Sequence, residues 1–538
     1  MHNQSRMRAP LLVAAAVSLV LSGCTASSSG AGPEVQSGKD PGQDVLALPE
    51  KSIDAALERL PGIVEEVLER TGVPGMSVAV VRNGDMVFAE GYGVREIGTD
   101  KAVTPDTVFQ LASLSKPLAA TAISAAIHQA GGNLGWDTPI HTLLPGFAYS
   151  DAAVTGLATV GDAFSHRTGL ATGAGDDLED LGFDRKTILE RLRLQPLDSF
   201  RTSYHYSNYG LTVGAEAVAR SRGQSWDALM DELVYGPMDM ESSSSRHADF
   251  LARDNRALLH AKIDGKFVAA YDRDPDPQAP AGGVSSNVED LSRWMSVVLA
   301  GGALEAGGSR TQLADPDALA EAMSPQIVTN SPQSGGERPS HYGHGFNANP
   351  LLSGRMAHSH SGAFVLGAGT AVTMVPQLGL GIVALGNGAP VGAPESVTSQ
   401  FMDLVQFGEP TRDWTGDLGG LFAALLAPAG DLAGKARPAG AAEPQDTQGL
   451  TGTYSSPYFG EMTIEETSGG LTARVGPDGV TEIELEPWDG DTYAYEPVSE
   501  SAPYGSRASA AFDRTGSAVR VVLQSFNGSG LATWTKSS

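Results

Sequence analysis

Residues 75–94 read GMSVAVVRNGDMVFAEGYGV, two strand-like runs on either side of Asn83-Gly84. Asn-Gly is the dipeptide a type I′ hairpin turn favours, because both central residues need positive φ. Much later in the chain strand signals return: AHSHSGAFVL at 357–366, then the β-branched runs GAGTAVTMVP at 367–376 and LGLGIVALGNG at 378–388. A helix beginning with Ser52 as N-cap carries Leu57, Leu60, Val64, Val67 and Leu68 on one side and stops at Gly72. Another, PESVTSQFMDLVQF, has Val397, Phe401, Leu404 and Val405 at i, i+4, i+7 and i+8. Between these ends, about 105–350, helical patterns alternate with loops rich in Gly, Asp and Pro. The pattern predicts one antiparallel sheet built from both ends of this region, with the terminal helices on its face and a long helical insertion between.

The chain has 538 residues, too many for one ordinary core. Residues 408–447 are rich in Ala, Gly and Pro and read as a helix fragment running into a linker. From about 448 to 538 short alternating runs such as GEMTIEE, LTARVG, TEIELE and AVRVVLQS predict a separate small all-β barrel or sandwich. Tyr454, Tyr458, Trp488, Tyr493 and Trp534 would either line a ligand face there or fill its core.

The net charge is −27, from 36 Lys+Arg against 63 Asp+Glu, which argues against nucleic acid as a partner. At the N-terminus Arg6 and Arg8 precede an apolar run from Leu11 to Leu21, shorter than a membrane-spanning helix, and then Leu21-Ser22-Gly23-Cys24. This arrangement resembles the lipobox of bacterial lipoproteins. It implies a signal peptide over 1–24, lipidation of Cys24, export and anchoring to a membrane of the cell envelope. An ordinary secretory signal would also mean export. Residues 25–50, rich in Ser, Gly, Pro and Asp, read as a tether. Cys24 is the one cysteine, so no disulfide framework can form.

The chemistry starts at VFQLASLSKPLAATA, where Ser113 and Lys116 lie three residues apart. On a helix these share a face, and Pro117 confines the pair to its first turn. A serine hydroxyl is a poor nucleophile unless a base stands within hydrogen-bond reach. A desolvated lysine can lose its proton and serve as one. Further on come SYHYSNYG, with Tyr206, Ser207 and Asn208, and AHSHSGAF, with His360, Ser361 and Gly362.

Ser-x-x-Lys, Tyr-x-Asn and Lys/His-x-Gly, in this order, resemble the serine β-lactamase and penicillin-binding-protein superfamily. The nearest branch is the class C β-lactamase-related group, which includes esterases and D-amino-acid-specific peptidases. FSHRTGL near 164, PAGGVSSNVEDLSRW near 280 and YGHGF near 342 fall where that group has similar phrases. The resemblance covers about 50–407, so 51–407 would be the catalytic domain. It implies an α+β transpeptidase-like fold, an acyl-enzyme on Ser113 and no cofactor. Lys116 and Tyr206 would share the general-base task, and which one takes the proton stays open. Asn208 would orient Lys116 and bind a substrate amide. His360 and Ser361 would line the pocket, and Gly362 would leave room for substrate. The backbone N–H groups of Ser113 and Ala363, the latter on an edge strand, would form the oxyanion hole.

Many β-lactamases have Lys where this chain has His360. A lysine is charged at neutral pH and holds a substrate carboxylate, whereas histidine, with an ordinary pKa of about 6.5, is mostly neutral. That departure favours an ester or a D-amino-acid-containing peptide as substrate. A true β-lactamase or DD-carboxypeptidase is the alternative. A non-catalytic envelope protein binding peptidoglycan or a partner belongs to another class, but no catalytic residue is lost. His341, His344, His358 and His360 fall close together, yet neither HExxH nor a cysteine pair accompanies them, so a metal site is not expected. The Gly-x-Ser-x-Gly elbow of α/β-hydrolases is also missing.

Overall fold

The computed structural model describes residues 34–468, 470–516 and 518–537. The expected signal peptide and Cys24 lie outside the described residues. The chain divides into two compact units, Met1–Ala47 and Leu48–Ser538. In the described part of the first, Val35–Gln36 pairs antiparallel with Val45–Leu46. Everything below concerns the second unit.

Its centre is an eight-stranded antiparallel sheet. The strands are β1 (Gly75–Arg82), β2 (Asp85–Gly93), β3 (Ile327–Asn330), β4 (Ser340–Tyr342), β5 (Asn347–Pro350), β6 (Met356–Phe364), β7 (Ala368–Val375) and β8 (Leu380–Gly386), in spatial order β3-β4-β5-β6-β7-β8-β1-β2. The two ends of the region meet where β8 pairs with β1, Gly386 opposite Met76 and Leu380 opposite Arg82. Asn83 and Gly84 both have positive φ, 52° and 90°, as a type I′ turn between β1 and β2 requires.

Side chains alternate across β1, and both faces are covered, so the strand is apolar throughout. Met76, Val78 and Val80 pack with Leu60, Val64 and Val67 of α1 (Ser52–Thr71), and with Phe401 and Val405 near the end of the second terminal helix, Ala393–Phe407. Ala79 and Val81 pack against the insertion, including Leu118 and Ile123. The start of α1 differs from expectation. Ser52 is its first helical residue rather than its cap, because its hydroxyl donates to the Val405 carbonyl at 2.7 Å and so ties the two terminal helices together. Gly72, at φ 74°, ends the helix.

The C-terminal domain is a closed barrel of eight antiparallel strands, β9 (Gly452–Ser456), β10 (Gly460–Thr467), β11 (Gly470–Val475), β12 (Thr481–Asp489), β13 (Thr492–Tyr495), β14 (Ala508–Asp513), β15 (Arg520–Leu523) and β16 (Thr533–Lys536). Each strand pairs with the next, and β9 closes the ring against β16. Tyr454, Tyr458, Trp488, Tyr493 and Trp534 are all buried, so they fill cores and do not form a ligand face. One apolar core runs from Leu178, Phe183 and Ile188 of the insertion into the barrel's Tyr458, Phe459 and Trp534. Arg191 Nη1 donates to the Tyr458 carbonyl at 2.7 Å across the same junction. The barrel is thus fused to the insertion by packing rather than carried on a linker alone.

Candidate active site

Ser113 lies in a single 3₁₀ turn, Ala112–Leu114, that leads into α2 (Ser115–Ala130). Pro117 sits in the first turn of α2, where an N–H has no helical partner to lose. The turn is strained and braced. Ala112 has φ 49°, unusual for a residue with a side chain. The Ser115 hydroxyl donates to the Ala112 carbonyl at 2.7 Å and accepts the Val284 N–H at 2.9 Å. The Leu111 carbonyl accepts the Thr370 hydroxyl of β7 at 2.8 Å.

Lys116 is fully buried. Its Nζ donates to Ser113 Oγ at 3.0 Å, Asn208 Oδ1 at 2.8 Å and the Ala281 carbonyl at 2.9 Å. Loss of water disfavours its charge and takes it down to about 7, against the pull of the Asp176 carboxylate. The phrase PAGGV therefore supplies a carbonyl to Lys116 and a brace to the nucleophile turn.

Tyr206 and Asn208 flank Ser207, which caps α3 (Asn208–Ser221) by accepting the Gly210 N–H at 3.0 Å. The Tyr206 ring lies under Lys116 Nζ, its centroid 4.5 Å away. Burial holds the phenol well above its ordinary range, outweighing the opposite influence of Ser113, so the proton stays on Tyr206.

His360 and Gly362 of β6 face the insertion. Ser361 lies on the opposite face of the strand with Ala357, the face that the terminal helices cover, α4 (Ala393–Phe407) among them. This corrects the expectation that Ser361 lines the pocket beside His360. Gly362 also has a different reason: a Cβ there would collide with the Leu111 carbonyl and the Thr370 hydroxyl. The glycine admits the Ser113 turn against the strand; it does not make space for substrate. Beyond Ser359 the pairing of β6 with β5 stops, so His360–Phe364, with Ala363, form a local edge beside that turn.

The hydrogen bonds of His360 fix its tautomer. Nδ1 meets the Ser361 carbonyl at 2.6 Å, which can only accept, so Nδ1 carries the proton. Nε2 then accepts from the Tyr342 hydroxyl at 2.8 Å. Burial, with Lys116 nearby, lowers His360 to about 3. It is neutral and both nitrogens are occupied.

Two residues belong to this cluster that the motifs did not single out. His166, in FSHRTGL, packs on Tyr206 with ring centroids 4.5 Å apart and planes tilted by 38°, and its Nδ1 accepts the Ser207 N–H at 3.2 Å. Burial keeps it neutral well below its ordinary range, and its own φ is 57°. Asp176 Oδ2 accepts from Asn208 Nδ2 at 3.4 Å, extending the chain Ser113–Lys116–Asn208 into a group of buried carboxyls. His166 was visible only as part of a phrase, and Asp176 as one of several acids in a loop. His341 and His358 play no part in the cluster, and His344 stacks on Trp136. Among the described residues no group of three His, Cys, Asp or Glu side chains could hold a metal ion.

Residues 60–407 match the family model described as Beta-lactamase. Residues 436–533 match that of a domain of unknown function, DUF3471. The chain is 29% identical over 400 residues to Penicillin-binding protein 4 of Amycolatopsis lactamdurans, covering 71% of this chain and 93% of that one. It is 26% identical over 336 residues to Unguisins hydrolase ungD' of Aspergillus campestris, covering 60% of each, so it spans less than two thirds of that relative. The structure of the octameric penicillin-binding protein homologue from Pyrococcus abyssi superposes with a TM-score of 0.56 at 17% identity, over 89% of this chain and 99% of that one, a likeness of fold.

Proposed function

The chain belongs to the beta-lactamase family of serine hydrolases, and from that premise we propose that it cleaves an ester, or the amide of a D-amino-acid-containing peptide, through an acyl-enzyme on Ser113. The observation that carries this reading is a buried Lys116 amine, lowered by burial to about 7, held 3.0 Å from the Ser113 hydroxyl. Neutral Lys116 takes the Ser113 proton as Oγ attacks the substrate carbonyl. Tyr206, kept as a phenol by burial, donates to the leaving oxygen or nitrogen and is reprotonated from Lys116, which sits over its ring. The developing oxyanion is held by the backbone N–H groups of Ser113 and Ala363. Asn208 steers Lys116 and offers its amide to the substrate. Water then attacks the ester on Ser113, Lys116 accepting its proton and passing it to Ser113 Oγ as the acyl–oxygen bond breaks and the acid departs.

His360 supports an uncharged substrate end at this strand. It carries no charge and spends both nitrogens on protein partners. Arg273, near Phe364, is taken up by Glu179 at 2.6 Å and Glu500 at 3.5 Å. A β-lactam carboxylate would find no free cation there, which disfavours efficient β-lactamase or carboxypeptidase action. Labelling by a fluorophosphonate probe tests the reading: the native chain reacts and Ser113→Ala does not. A panel of nitrocefin, p-nitrophenyl esters and D-alanyl anilides ranks the substrates, with esters expected first. No labelling and no turnover of any of them would favour a non-catalytic binding protein.

We also propose export and lipid anchoring through Cys24, on the strength of the basic, apolar and Leu-Ser-Gly-Cys succession at the N-terminus. Metabolic incorporation of labelled palmitate into the native chain but not into Cys24→Ala is the expected result, and equal labelling would refute it.

A further inference from the structure

A cavity of about 840 Å³ lies between the helical insertion and the barrel. Segment 171–180 forms one wall, and strand β12 with loop 495–502 forms the other. Carboxyl side chains stand on both walls, Asp176, Asp177 and Asp180 on one and Glu484 and Glu496 on the other, and no Lys, Arg or His is among the lining residues. Two further acids on the barrel wall are already paired, Glu482 with Arg474 and Glu486 with Arg507. Asp177 accepts the Tyr458 hydroxyl at 2.9 Å, and Asp180 feels the pull of Arg273.

Acidity alone would not make a binding site, but two acceptors here lack donors. Gln195 lines the cavity, is 1% exposed, and its Oε1 has no partner. Asp176 Oδ1 is likewise closed to solvent and without a partner, while its other oxygen holds Asn208. A buried acceptor without a donor costs free energy that a donor-bearing ligand would recover. Burial and mutual repulsion raise Asp176 to about 7, and burial raises Asp180 to about 7 and Asp177 to about 6. A cation among them would restore their charge. The acids are spread along two walls, and no three of them are placed around one metal ion. That spacing suits an extended organic cation.

We propose that this cavity holds the ammonium or guanidinium end of a small organic cation, either carried by the molecule cleaved at Ser113 or arriving as a separate amine that acts on the site through Asp176 and Asn208. The first source rests on the hydrolase reading above, whereas binding itself does not.

Calorimetric titration of 1,6-diaminohexane into the full chain and into Ser113→Ala tests binding alone. Saturable binding is expected in both, weakened about tenfold or more in the double variant Asp180→Asn, Glu484→Gln. Circular dichroism and the thermal midpoint report whether that variant is folded, and Glu484→Lys on the exposed barrel wall is the second variant should the buried change unfold the chain. Absence of saturable binding, or equal binding by the folded variants, overturns the proposal. The source is read from p-nitrophenyl 6-aminohexanoate against the hexanoate. For a substrate-borne cation the amino ester has the lower KM and the diamine competes with it alone. For a separate amine the diamine changes hexanoate turnover without competing. Binding with neither kinetic effect cuts the link to Ser113 and overturns the proposal. Diamine binding in a chain that hydrolyses no ester would instead refute only the hydrolase reading.

Discussion

Lys116 Nζ reaches Ser113 Oγ at 3.0 Å from a fully buried position. Because burial lowers this amine to about 7, the fraction able to accept a proton rises as pH rises through that value. The kcat/KM for a neutral ester should therefore climb with a single ionisation near pH 7 and then level off. Lys116→Arg keeps a cation that does not deprotonate, and should lose about a thousandfold in kcat/KM across the range. A flat profile in the native enzyme would contradict the assignment.

Tyr206→Phe keeps the ring under Lys116 but removes the phenol. We expect kcat to fall about a hundredfold or more while the ionisation near pH 7 persists, since that step belongs to Lys116. Disappearance of the ionisation in this variant would make Tyr206 the titrating group.

His360→Lys removes the acceptor for Tyr342 and introduces a cation beside the nucleophile. Turnover of nitrocefin relative to p-nitrophenyl hexanoate should rise about tenfold or more, because a carboxylate gains a partner. An unchanged ratio would show that the neutral imidazole is not what selects against carboxylates.

His166 positions Tyr206 from behind. His166→Asn can still accept the Ser207 N–H and tolerates a φ of 57°, whereas His166→Phe keeps only the ring packed on Tyr206. A displaced Tyr206 should cost Phe about a hundredfold in kcat with little change in KM, and Asn should recover most of it. A larger loss in Asn than in Phe would mean that the ring packing, not the hydrogen bond, matters.

Trp534 is fully buried in the core shared by barrel and insertion. Trp534→Ala should destabilise by about 3–5 kcal/mol. Loss of ester hydrolysis should coincide with barrel unfolding in one thermal transition, monitored by activity and circular dichroism together. Two separate transitions would show that the barrel is an independent attachment.

Much of this was legible from local pattern. The Asn83-Gly84 turn and the apolar runs of β1, β7 and β8 follow from short-range chemistry, and so did the spacing of Ser113 and Lys116. What the pattern could not give was set by contacts between distant segments. Ser52 looks like a cap until Val405 is brought to it. Ser361 belongs to the same motif as His360, but strand alternation sends it to the face that the terminal helices cover. Gly362 is explained only by the carbonyl of Leu111 packed against it. His166 gains its place from Ser207, and Asp176 from Asn208, through folding rather than through any motif. The acidic cavity needs the barrel and the insertion together, so neither segment announces it.

The account stands on acylation of one hydroxyl by an ordinary substrate. Rapid acid quenching of the enzyme with p-nitrophenyl hexanoate, followed by peptide mass spectrometry, measures this directly. A hexanoyl adduct on Ser113 that forms in a burst and decays at the turnover rate is the predicted result. Steady hydrolysis with no adduct on Ser113, or with the adduct on another residue, would contradict it.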